Sequence, residues 1–124
     1  MLVLNKTTAP RYKRPEGIVS YLLVSARTSN SRQLTTTVVE LAVSGEQRGH
    51  SHAPEQVYFI LEGSGVMTVG NDEQDVHVGD CVLIPSGVQH GIRNSGTSTL
   101  RYFSAAAPGF GREELQTLWP LPSA

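Results

Sequence analysis

His50 and His52 flank a single serine, Gln56 follows four residues later, and His90 lies well downstream. Imidazole nitrogens bind Zn, Fe, Cu and Ni well, and an amide oxygen adds a weaker, neutral ligand. On a strand, residues i and i+2 face the same side, so the His50–His52 pair can grip one ion. Gln56 shares their parity if the strand runs on, although Pro54 predicts a turn or bulge between them. Glu55 would replace Gln56 as a ligand if a bulge shifted the register by one residue. His90 follows Pro85-Ser86-Gly87 and is expected on a separate strand. The chemistry that these residue types offer is that of one bound metal ion.

Such a cluster needs strands and turns to assemble it. Short runs rich in Val, Ile, Thr, Tyr and Phe cover Ile18 to Ala26, Leu34 to Val43, Val57 to Glu62, Gly65 to Val69, Gln74 to Val78, Cys81 to Ile84, Gln89 to Asn94 and Thr99 to Ala105. Several alternate apolar with polar residues, as half-buried strands do. Turn signals such as Ser44-Gly45, Gly70-Asn71-Asp72, Gly79-Asp80 and Asn94-Ser95-Gly96 separate them. Short strands at fairly even spacing predict an all-β sandwich or barrel. Gly111 to Trp119 breaks this pattern. Leu115, Leu118 and Trp119 recur at helical spacing, Glu113 and Glu114 suit the positive end of a helix, and Pro120 stops it. A short C-terminal helix is expected to pack on the barrel or on a second subunit, with a lid over the pocket as the weaker alternative.

The spacing of the motif residues resembles the cupin superfamily. Gly79, Pro85, Gly87, His90 and Asn94 match its second motif, G-x5-P-x-G-x2-H-x3-N, at every separation. Gly45, His50, His52 and Gly63 match its first motif, G-x5-H-x-H-x3/4-E-x6-G, with the first gap one residue shorter and Gln56 at the glutamate position. The 15 residues from Ser64 to Val78 between the motifs look like those of compact, single-domain (monocupin) members. The resemblance implies a double-stranded β-helix, the jelly-roll β-barrel, with residues 1–17 as an N-terminal arm, 18–110 as the barrel and 111–124 as helix and tail. It also implies one divalent transition metal (Zn, Fe, Mn, Ni or Cu) held by His50, His52, position 56 and His90. Glutamine at position 56 makes the ligand set neutral, so the ion keeps its full charge and becomes a stronger Lewis acid. Two functions follow from the resemblance. One is an isomerase, decarboxylase or dioxygenase acting on a small oxygen-bearing metabolite such as a sugar or keto acid. The other is a module that binds or senses a small molecule without turnover.

Other residues are read from their surroundings. Cys81 starts an apolar strand and is expected in the core, whereas His77 is expected in solvent. Asn94 should close a turn with Ser95-Gly96. Tyr58, Ile60, Met67, Ile92, Tyr102 and Ser104 are pocket-lining candidates by strand parity. Glu62, Tyr58 and Tyr102 are the candidate acids or bases. Arg48 and Arg101 could meet an anionic substrate, though a solvated arginine is the plainer reading of each. Lys6, Arg11, Lys13 and Arg14 precede the first acidic residue, Glu16, and read as a solvated arm.

Composition sets the remaining bounds. The 124 residues suit one domain, and 39% hydrophobic with 17% charged residues is ordinary for a globular protein. Lys plus Arg is 10 and Asp plus Glu is 11, giving a formal charge of −1 and no general attraction to nucleic acid or anionic membrane. Apolar runs are too short to span a bilayer. The first residues lack the basic start and long apolar stretch of a secretory signal, and the single cysteine suits a reducing cytoplasm. A homodimer is expected, because an open sheet edge needs cover that the N-terminal arm could give.

Overall fold

The strand Thr35–Leu41 buries Thr35, Thr37, Val39 and Leu41 and leaves the residues between them half-exposed. Its neighbour Leu100–Ala107 buries Leu100, Tyr102, Ser104 and Ala106, and Glu55–Glu62 buries Gln56, Tyr58 and Ile60. Period-two alternation thus gives each strand one inward face. That face changes character along its length. Leu41, Val39, Leu100, Tyr102 and Ile60 make an apolar floor. Thr37, Ser104 and Gln56 make a buried polar layer above it, paired in register as Ser104 with Thr37 and Ala106 with Gln56.

The structure is a computed structural model that describes residues 1–120. In chain order its strands are β1 (Arg11–Arg14), β2 (Ile18–Leu22), β3 (Thr35–Leu41), β4 (Glu46–His50), β5 (Glu55–Glu62), β6 (Ser64–Val69), β7 (Asp72–His77), β8 (Cys81–Ile84), β9 (His90–Asn94) and β10 (Leu100–Ala107). They form a six-stranded sheet, β1-β2-β3-β10-β5-β8, and a four-stranded sheet, β4-β9-β6-β7, with antiparallel neighbours throughout. Ile18, Ile60, Met67, Ile84, Ile92, Leu100 and Tyr102 belong to the buried cluster that fills the barrel. This is the expected jelly roll. Among the described residues no helix is long and apolar enough to cross a membrane.

The structure departs from the sequence reading in four places. The run expected as a strand to Ala26 stops at Leu22, because Ser25 caps a short helix, α1 (Ala26–Ser29), by accepting bonds from the Arg27 and Thr28 amides. Arg11–Arg14, within the expected arm, pairs with β2 of the same chain. Glu46–His50 is a strand despite its polar sequence. Cys81 is exposed, not a core residue: alternation in β8 turns Ile84 inward and leaves Cys81 and Leu83 on the outer face near exposed Phe59 and Leu61.

A second buried cluster joins Leu22, Ala106 and Phe110 to Leu115 and Trp119 of the C-terminal helix, α2 (Arg112–Leu118, with Trp119 as its C-cap). The expected apolar helix face is therefore the one that packs. Arg27 Nη1 donates to the Trp119 carbonyl at 2.8 Å, a cation placed at the negative end of the helix. The tail expected at residues 121–124 lies outside the described residues.

Two details fix the loops around the barrel. Gly63 has φ of +81°, and a Cβ there would lie 2.5 Å from the Thr99 carbonyl oxygen. Asn94 is buried; its amide nitrogen donates to the carbonyls of Leu41, Ala42 and Ser98, and its oxygen accepts from Gly96 N–H. It closes the expected Ser95-Gly96 turn and also pins the start of β10 and the end of β3. Asn94→Ala would leave several buried carbonyls unmet, so we expect a loss of about 2–3 kcal/mol in stability, measured by urea unfolding with an unchanged m-value.

Candidate metal centre

His50, His52 and His90 come together at the polar end of the barrel. One ring nitrogen from each lies within 4.8 Å of the others. Ring centroids are separated by 4.3 Å (His50–His90), 4.9 Å (His52–His90) and 5.6 Å (His50–His52). His50 ends β4 and faces His90, which starts β9. His52 lies beyond the strand, in the loop that Pro54 turns into β5. Strand parity therefore does not place His52. A clasp between turns does: Gly87 N–H donates to the His52 carbonyl at 2.9 Å, and the Ser86 hydroxyl donates to the Ala53 carbonyl. The turn before His90 is thereby bound to the loop that carries His52.

Each imidazole is also locked in orientation. His50 Nδ1 bonds the Arg48 carbonyl at 2.9 Å, His52 Nδ1 the Pro54 carbonyl at 3.0 Å, and His90 Nδ1 the Val88 carbonyl at 2.9 Å. His50 Nδ1 also lies 3.3 Å from Gln47 Nε2, itself a donor. A carbonyl only accepts, so Nδ1 carries the proton in His52 and His90, and a neutral ring then keeps its lone pair on Nε2. Metal-binding histidines have this arrangement. His90 Nε2 is buried and has no hydrogen-bond partner among the described residues. Burial pushes His90 down to about 4 and also lowers His50, so both rings are neutral at neutral pH and free to ligate.

Gln56 joins this cluster from β5. Its Oε1 lies 2.9 Å from His52 Nε2, close to the roughly 3 Å that separates two ligands at right angles on bonds of about 2.1 Å. Its Nε2 donates to Ser104 Oγ at 2.9 Å, and that hydroxyl accepts from Thr37 Oγ1 at 3.1 Å. The polar layer above the apolar floor thus aims the amide oxygen at the histidines. Glu55 is exposed on the outer face of the same strand. The donor set fits a transition ion: three imidazoles and one oriented amide oxygen.

Beside the cluster lies a cavity of about 50 Å³, lined in part by His50, His52, Gln56, Tyr58, Tyr102 and Ser104. Of the expected pocket residues, Tyr58, Tyr102 and Ser104 line it, whereas Ile60, Met67 and Ile92 lie in the barrel core. Tyr58 and Tyr102 stack with centroids 4.4 Å apart, and burial raises both phenols, which stay protonated at neutral pH. Glu62 is not in the cavity. It pairs with Arg101, which also binds Glu40 at 2.7 Å, so Arg101 is committed to a surface ion pair. Arg48 is exposed beside Glu46, and His77 is exposed as expected.

Two further groups line the cavity, one from the C-terminal helix, for which packing and a lid were the alternatives, and one from the expected solvated arm. Phe110, Leu118 and Trp119 close the cavity from the C-terminal side, so α2 packs on the barrel and covers the pocket at once. Phe110 sets its edge against the His52 ring at 5.0 Å. Arg14 also lines the cavity. Its alternation with Tyr12 was the available signal: in β1 both are half-buried, while Arg11 and Lys13 are exposed.

The model of the cupin domain matches residues 37–106. The chain belongs to the cupin family. This cupin is 28% identical over 69 residues to a dimethylsulfoniopropionate lyase of Ruegeria pomeroyi, a match covering 56% of the chain and 45% of the lyase. It is 36% identical over 64 residues to an acireductone dioxygenase of Rhodopseudomonas palustris, covering 46% of the chain and 39% of the dioxygenase. The matches thus span less than half the length of these two relatives. Among solved structures, a predicted oxalate decarboxylase from Thermotoga maritima superposes with a TM-score of 0.77 at 18% identity, covering 86% of this chain and 99% of that one. That likeness concerns the fold.

The cover is open to test, because Trp119 is the single tryptophan of this cupin. Arg27→Ala removes the latch on the Trp119 carbonyl. We expect acrylamide to quench Trp119 at least about twofold more strongly, with far-UV circular dichroism unchanged, as a helix end losing a charge-assisted bond frays first.

Proposed function

We propose that this cupin holds one divalent transition metal ion through His50, His52 and His90, with Gln56 Oε1 as fourth ligand, and acts on a small oxygen-bearing metabolite. The observation that carries this reading is the shared ring orientation: every Nδ1 lies at hydrogen-bond distance from a backbone carbonyl, which leaves Nε2 as the ring's other ligand atom. The buried, unmet Nε2 of His90 supports it further. An ion bound there would polarise a substrate carbonyl or, if iron, support dioxygen chemistry. The rest falls to the protein. Gln56 is aimed by Ser104, and the protonated hydroxyls of Tyr58 and Tyr102 can donate hydrogen bonds in the cavity. The cavity, with room for about three or four water molecules, favours a substrate of keto acid size over a sugar. The lyase and dioxygenase among the relatives support catalysis on such a molecule.

A second reading has its own support. Among the described residues the cavity contains no carboxylate, and its phenols are held protonated, so apart from the two histidines assigned to the ion no side chain there is an obvious general base. Capture of a small molecule without turnover would need none.

Protein made in medium supplemented with Zn, Fe, Mn, Ni or Cu is expected to carry close to one ion per chain by elemental analysis. An intact barrel without metal would reject the proposal. His52→Ala should lose the ion and keep the fold, since the barrel's apolar cluster does not include His52. Gln56→Glu adds a negative ligand and should change the relative affinity for hard and soft ions by at least about tenfold, or ~1.4 kcal/mol. Equal affinities would remove Gln56 from the ligand set.

A further inference from the structure

Among the described residues, three buried side-chain polar atoms have no hydrogen-bond partner: His90 Nε2, Arg14 Nε and Trp119 Nε1. The metal reading uses the first. The other two belong to side chains that line the same cavity as His50, His52 and Gln56. Both atoms carry N–H groups that only donate. A buried donor left unmet costs stability, and the two side chains that carry these donors both border the one cavity.

Arg14 adds charge to these donors. Its Nη2 donates to Gln47 Oε1 at 2.8 Å, a neutral partner, and its guanidinium lies 5.7 Å from the Tyr12 ring centroid. The ion pairs among the described residues involve Lys6, Arg48 and Arg101, so Arg14 has no carboxylate partner there. The cavity lining contains no Asp or Glu either. Position follows from the fold. Arg14 is opposite Ile18 in the β1–β2 ladder, and Trp119 caps α2, so the arm and the C-terminal helix each bring one donor to the cavity.

We propose that Arg14 and Trp119 form the subsite for the carboxylate of a small oxo acid. The inference rests on the metal reading, in which the substrate's second oxygen function faces the histidine cluster. An arginine recognises a carboxylate by charge and by its fork of N–H donors, and the indole N–H can donate to the same group. Room for about three or four water molecules suits a carboxylate with one or two further groups.

The test uses full-length protein loaded with Co(II), titrated calorimetrically with pyruvate and with pyruvamide as a neutral control, with metal content measured for each variant. Wild type should bind pyruvate more tightly than pyruvamide. Arg14→Gln should weaken pyruvate at least tenfold, with pyruvamide within twofold and metal content unchanged. Trp119→Phe, which deletes the N–H and keeps an aromatic ring, should weaken pyruvate several-fold. Pyruvate affinity within twofold of wild type in Arg14→Gln at full metal content overturns the subsite, as does wild type that does not prefer pyruvate. If Arg14→Gln does not fold, Trp119→Phe decides, and unchanged pyruvate affinity there overturns the proposal. Failure of wild type to take up Co(II) would count against the metal reading instead. Pyruvate binding to that metal-free protein, lost in Arg14→Gln, would then sustain the subsite alone, and no such binding would overturn it.

Discussion

The site depends on one local bond made three times. His50, His52 and His90 each set Nδ1 against a carbonyl two residues away along the chain, those of Arg48, Pro54 and Val88. A contact so close in sequence needs little of the tertiary fold to form. It orients each ring locally, and the barrel brings the three rings together. The clasp from Gly87 to the His52 carbonyl does this for the two turns. A free imidazole chooses between two tautomers. For His52 and His90 the backbone makes the choice.

The barrel below supplies a rigid base. Inward residues of β3, β5 and β10 are apolar at one end and polar at the other, with the change falling within single strands. A buried hydroxyl or amide is tolerated only with partners. Thr37 Oγ1 and Gln56 Nε2 both donate to Ser104 Oγ, which leaves Gln56 Oε1 directed at His52 Nε2. The same bonds that meet the cost of burying polar groups therefore orient the amide oxygen. Asn94 serves a matching purpose at the other end, where a single side chain gathers carbonyls from three residues.

Much of this was legible in the sequence. Alternation and turn residues predicted the jelly roll, and motif spacing gathered His50, His52 and His90 with Gln56 beside them. The features that were missed are those that local pattern cannot encode. His52 was assigned by strand parity, yet it sits in a loop whose position comes from a bond to Gly87, distant in sequence. Cys81 was placed inside because its neighbours are apolar. Exposed Phe59, Leu61, Cys81 and Leu83 on the outer face of β5 and β8 show that apolar character alone does not reveal which side of a strand is buried. Arg14 was read with Lys6, Arg11 and Lys13 as one basic, solvated segment. Charge counting treats such residues alike, whereas pairing of β1 with β2 gives them opposite faces. Trp119 was correctly placed on an apolar helix face, but packing surface and cavity wall are the same surface here.

Electrostatics ties the two halves of the site together. A divalent ion held, as proposed, by three imidazoles and an amide would keep its full charge. Arg14 adds another positive charge to the same cavity, with no acidic side chain in its lining among the described residues. Glutamate at position 56 would offset part of this from within the ligand set; glutamine leaves all of it to whatever enters. Like charges brought close in a poorly solvated space repel strongly, and water screens them least where burial is greatest. An anionic guest lowers this energy with every contact it makes, whereas a neutral guest of the same shape leaves the repulsion in place. The departure at Gln56 and the unpaired Arg14 are thus complementary. Together they make charge, more than shape, the property by which this cavity would select its occupant.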